Sequence, residues 1–150
     1  MQKRQKNNIK QILSKSIDGK LPPQAIELEE AVLGALMIDN DALSNAIELL
    51  KPDSFYKHQH QKIFSAIEDL FNSAKKVDIL TVVEELKSKG LLEEIGGPSF
   101  ITKLTERIAS AANIETHARI IAQKFIQREL IRISNQTIKD AYDDTTDVFD

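Results

Sequence analysis

The stretch from Pro22 to Asp39 limits the fold of this chain more than any other, because read as a helix it is apolar on nearly every side. Leu28, Ala31, Val32, Ala35 and Leu36 recur at three-and-four spacing on one face, and Leu33 and Met37 fill a second. Such a helix must be surrounded by other elements. Only its first turn is polar: Pro22 and Pro23 suit a helix entrance, where amide donors lack partners, and Glu27, Glu29 and Glu30 lie near the positive end of the dipole. Asp39-Asn40-Asp41 is expected to end it. The reading is a central core helix with no side chain between Ala31 and Ile38 that does chemistry.

The elements around it also read as helices. Asp41 or Asn40 is a cap for a second, with Leu43, Ala46, Ile47 and Leu50 on its buried side and Lys51-Pro52 at its end. A short loop, Pro52 to Tyr56, leads to a third in which Ile63, Phe64, Ile67, Leu70 and Phe71 keep helical spacing. After the polar break from Asn72 to Lys76, Asp78 caps a fourth helix carrying Val82, Val83 and Leu86, and Lys89-Gly90 suits its C-terminus. Leu91 to Ile95 and the turn Gly96-Gly97-Pro98-Ser99 precede a fifth helix with Phe100, Ile101, Leu104 and Ile108, with Pro98 or Ser99 at its start. A last break covers Ala109 to Ala112.

Asn113 then caps a sixth helix, and neither Gly nor Pro interrupts it from Ile114 to Tyr142. At 1.5 Å per residue it would be about 40 Å long. Ile114, Ala118, Ile121, Ala122 and Phe125 are suited to packing on the head formed by the first five helices. Ile126, Leu130, Ile133 and Ala141, with Ile131 and Ile138 beside them, continue an apolar surface beyond what such a head can cover. Something else must bury that half.

Composition agrees with an all-α chain: 41% of residues are hydrophobic but only 5% aromatic, and the 5 Gly and 4 Pro fall mostly at apparent breaks. Absence of Cys excludes disulfides and thiolate chemistry and fits a reducing cytoplasm. The longest apolar run, Ala31 to Ile38, falls far short of the roughly 18 residues of a membrane span. The net charge of -3 conceals an asymmetry. Residues 1–20 hold Lys3, Arg4, Lys6, Lys10, Lys15 and Lys20 against Asp18 alone, whereas residues 143–150 hold Asp143, Asp144, Asp147 and Asp150. The body between is acidic, unlike a dedicated nucleic-acid clamp. The basic tail reads as flexible, although Ile9, Ile12, Leu13 and Ile17 would make a short amphipathic helix on meeting a partner.

Motifs for chemistry are missing. The one Gly-Lys pair, Gly19-Lys20, is followed by Leu21, so no phosphate-binding P-loop exists. Gly96-Gly97 before a helix start reads as a turn and cap rather than an anion site. His58 and His60 would point about 200° apart on a helix, and with His117 elsewhere they read as surface residues, not metal ligands. Glu29-Glu30, Glu84-Glu85 and Glu93-Glu94 read as solvated faces rather than acid-base pairs. No catalytic, cofactor or metal residue is nominated, and the chemistry left is binding or assembly.

The order of motifs is similar to a known family. Pro-Pro-Gln-Ala-Ile-Glu-x-Glu-x-Ala-Val-Leu-Gly at 22–34, Asp53-Ser54-Phe55-Tyr56 with His60-Gln61-Lys62-Ile63-Phe64, Val77-Asp78, Glu85-Leu86 and Leu92 to Gly97 come first. Ala111 to Ile114, Ala118 to Ile121 and Arg128-Glu129-Leu130-Ile131 follow. Over about residues 21–150 the set resembles the N-terminal domain of the bacterial DnaB-type replicative DNA helicases. The resemblance implies a helical head (21–112), a long helix (113–142) that is one arm of an antiparallel hairpin, and a second arm beginning at 143–150 and cut there, behind the flexible tail of 1–20. It also implies a cytoplasmic bacterial parent whose RecA-like ATPase domain, with its ATP and Mg, is absent here, so that the chain itself is expected to be no enzyme and to need no cofactor.

In that family these domains form a collar, a trimer of dimers, on a hexameric ring that moves on single-stranded DNA, and the collar receives the DnaG-type primase and, it is expected, a helicase loader. The residues nominated for subunit or primase contact are Phe100, Arg128, Glu129, Leu130, Ile131, Ile133 and Ile138. On sequence grounds alone Phe100 reads as core ahead of interface, and Arg128 and Glu129 also read as a solvated helix face. Two other binding modules stay open: a helical nucleic-acid-binding domain, and the structurally similar helicase-binding domain of primase.

Overall fold

The segment that is apolar all round folds as helix α1, Ile26–Leu36, in the computed structural model, which describes residues 20–106, 113–145, 147 and 149. It is followed by α2 (Asn40–Ala46), a 3-10 turn (Pro52–Ser54), α3 (His58–Asn72), α4 (Ile79–Ser88), α5 (Gly97–Glu106) and α6 (Ile114–Ala141). No strand occurs among the described residues. Among the described residues the expected all-helical architecture, five shorter helices and one long one, is borne out. The basic tail through Gly19, Ile108 and the break at Ala109 to Ala112 lie outside the described residues.

Two units divide the chain, one of residues 24–126 and a second whose described residues are 20–23, 127–145, 147 and 149. In the first, the head, α1 packs against α5, α2 and α3, while α4 lies against α3 and α5. Val32, Leu33, Ala35 and Leu36 of α1 and Met37 just past its end are buried, and around them close Leu43, Ala46, Ile63, Phe64, Ile67, Val82, Leu86, Ile101 and Leu104. Phe55 and Phe64 meet at 5.0 Å between ring centres in a tilted arrangement. The first part of α6 contributes Ile114, Ala118 and Ile121 to this core, and the Lys51 ammonium lies 5.2 Å from the centre of the Phe125 ring.

Helix ends differ from the sequence expectation. Pro22 and Pro23 precede α1 without entering it, Ala25 holds the cap position, and the helix stops at Leu36, which leaves Ile38 in a turn and 61% exposed. Asp39, rather than Asn40 or Asp41, caps α2, its side chain accepting from the Asp41 and Ala42 amides. α2 ends at Ala46, well before Lys51-Pro52. Phe71, expected in the core, sits at its edge and is 37% exposed.

The larger correction concerns two polar residues read as surface groups. Glu29 and His60 are both sealed from solvent. His60 Nδ1 lies 2.8 Å from Glu29 Oε1, and the same carboxylate accepts the Tyr56 amide at 2.9 Å and the Lys57 amide at 3.4 Å. One side chain on α1 thereby fixes the loop that enters α3 and the first turn of α3 itself. A buried carboxylate is tolerable only with such donors. The His60 ring also stacks on Phe100 of α5, 6.2 Å between centres. His58 does lie on the surface, 3.3 Å from Glu94, where an exposed pair contributes little.

The C-terminal turns of α3 and α4 are built alike and give a paired prediction. After α3, the Lys75 amide reaches back to Leu70 O and Ala74 takes a left-handed φ of 54°. After α4, the Leu91 amide reaches back to Leu86 O and the left-handed position is Gly90, at 69°. Alanine pays a steric penalty in that region that glycine does not. Ala74→Gly is therefore expected to stabilise the protein by about 1 kcal/mol and Gly90→Ala to destabilise it by a similar amount. Urea unfolding midpoints moving in opposite directions would bear this out.

Asp78 supplies the cap expected of it: its carboxylate accepts the Thr81 amide at 2.8 Å, while Thr81 Oγ1 accepts the Asp78 amide at 2.9 Å. The Thr81 amide holds the Asp78 carboxyl below its ordinary value of 3.8. A depressed folded-state value means that the cap's charged contribution is complete above pH 3.8 and fades as pH falls below it. Asp78→Ala is expected to cost about 1 kcal/mol near neutral pH. Asp78→Asn, which caps without titrating, should lose less stability than the native chain on acidification below that value, as read from urea midpoints at a series of pH values.

At the N-terminal side of α5, Gly96 has φ +112°, and a Cβ added there would lie 3.1 Å from Phe100 Cβ. The glycine pair closes a turn, with the Gly96 amide bonded to Glu93 O and the Gly97 amide to Leu92 O.

Candidate interface on the long helix

α6 runs for 28 residues, Ile114–Ala141. Its first turns are anchored in the head by Ile114, Ala118 and Ile121, and Glu115 pairs with Arg119 one turn on at 2.9 Å. From Gln127 onward the helix belongs to the second unit, and there its apolar side chains face solvent. Leu130 is 59%, Ile131 47%, Ile133 51% and Ile138 41% exposed, and Tyr142, just past the helix, 59%. Ile126, at the end of the head unit, is likewise exposed.

At 100° per residue these side chains fall into two stripes about 120° apart. Leu130, Ile133, Thr137 and Ala141 form one, and Ile131, Ile138 and Tyr142 the other. Gln127 and Ser134, both uncharged, lie between them. Every charged residue of the segment, Arg128, Glu129, Arg132, Lys139 and Asp140, projects from the opposite side of the helix. One half of the surface is thus free of charge and the other carries all of it, the pattern of a helix that buries one side.

The charged side is tied up within the unit. Arg128 Nη1 donates to Pro23 O at 2.8 Å, and Arg132 makes a forked contact with the Glu129 carboxylate, 2.8 Å at its shortest. The hydrogen bond to Glu129 shifts the Arg132 guanidinium further toward its charged form. Gln136 Nε2 donates to Asp140 at 2.6 Å.

Six of the seven nominated residues therefore share this segment, divided by chemistry. Leu130, Ile131, Ile133 and Ile138 form the apolar side, while Arg128 and Glu129 brace the polar side. Phe100 is apart from them, half-buried on α5 in the head and stacked on His60. Tyr142 is an addition: it continues the Ile131–Ile138 stripe at helical spacing, a signal present in the sequence. Among the described residues no group of three or more His, Cys, Asp or Glu is placed to hold a metal, and no helix is long and apolar enough to cross a membrane.

Comparison with known proteins gives a consistent result. Residues 21–123 match the family model of the DnaB-like helicase N terminal domain. The chain is 48% identical over 132 residues to the replicative DNA helicase DnaB of Rhodothermus marinus, covering 88% of this chain and 14% of that protein. It is 44% identical over 126 residues to the replicative DNA helicase DnaC of Bacillus subtilis, covering 84% and 28%. The chain thus spans less than a third of the length of either relative. Among solved structures, the N-terminal domain of DnaB helicase from Mycobacterium tuberculosis superposes with a TM-score of 0.79 at 34% identity, over 81% of this chain and 87% of that one.

Proposed function

Because the chain belongs to the family of DnaB-like helicase N-terminal domains, we propose that it is an assembly module: the collar domain of a hexameric replicative helicase, joining subunits as a trimer of dimers and recruiting primase at the replication fork. The observation that supports this most is the charge-free half of α6 beyond Gln127, where four aliphatic side chains are each more than 40% exposed. Two stripes set about 120° apart need two covering elements. In this reading the second arm of the hairpin lies on one stripe and a second copy of the domain on the other. Covering the exposed half of each Leu or Ile contributes about 1 kcal/mol, enough in aggregate to hold subunits together.

Catalysis lies elsewhere in the parent protein. ATP and Mg bind to its separate ATPase domain, single-stranded DNA passes through its ring, and the domain described here contributes architecture and docking in the bacterial cytoplasm. Calorimetric titration with the helicase-binding domain of a DnaG-type primase tests the docking role, and saturable binding is the expected result. Lack of binding both to this chain and to its full-length parent would remove primase recruitment from the proposal. Self-association would then stand or fall on its own measurement.

A further inference from the structure

We draw no further inference here: the strongest candidate, the buried Glu29–His60 pair between α1 and α3 with His60 Nε2 unpartnered, is sealed within the head and belongs to the packing already described.

Discussion

Replacing Leu130 and Ile133 together with glutamate is expected to hold the chain monomeric at concentrations where the native sequence associates. Both belong to one apolar stripe and both are more than half exposed in the single chain. In a contact between two copies related by a two-fold axis each substitution acts twice, so four buried side chains are lost and four charges need solvent. At about 1.5–3 kcal/mol for each fully buried side chain, the half that is exposed in the single chain sums over four to about 3–6 kcal/mol, comparable with the roughly 4 kcal/mol that corresponds to a thousandfold weaker Kd. Glutamate is a good helix former, so circular dichroism should show unchanged helix content while sedimentation velocity shows the loss of the larger species. The matching double substitution on the polar side, Arg132 and Lys139 to glutamine, is expected to leave association nearly unchanged.

Glu29→Ala is expected to destabilise the head by about 3 kcal/mol or more, as much as truncating a large core side chain. It leaves the Tyr56 amide, the Lys57 amide and His60 Nδ1 without the acceptor they share. Against a total stability of about 5–15 kcal/mol for a domain this is a large fraction. Glu29→Gln keeps one oxygen acceptor in nearly the same shape and should cost clearly less. Removing both members, Glu29→Leu with His60→Leu, should not restore the native value, because the Tyr56 and Lys57 amides still lose the carboxylate they donate to. Urea unfolding of the four proteins reads all of these. A Glu29→Ala loss below about 1 kcal/mol would mean that the carboxylate is not what fixes the entry to α3.

The sequence disclosed these features unevenly, for identifiable reasons. Helix order, the Asp78 cap, the Gly90 terminus and the uncovered half of α6 were legible because each depends on local spacing or on one residue's backbone chemistry. The start of α1 was not: two prolines make an entrance available, and tertiary packing decides where the first helical turn forms. Glu29 and His60 read as surface groups when charge and polarity are weighed above position. Glu29 stands three, four and seven residues before Val32, Leu33 and Leu36, and His60 stands the same distances before Ile63, Phe64 and Ile67. Both therefore lie on the buried faces of their helices, and the spacing already contained that answer. Their pairing across 31 positions is a long-range fact that no local pattern carries. The candidate interface was legible as an excess of apolar surface, and the spacing that sets Ile131 and Ile138 beside the Leu130–Ile133 row, with Tyr142 in line, was legible too, since neither Gly nor Pro interrupts the helix.

Sedimentation equilibrium of the 150-residue chain, from low to high micromolar concentration and at low and high salt, tests most directly whether the far half of α6 joins subunits. The weight-average mass should rise with concentration toward a dimer or beyond. It should change little with salt, because apolar burial rather than charge drives the association. A mass fixed at that of one chain across the whole range, with native helix content throughout, would contradict the assembly role.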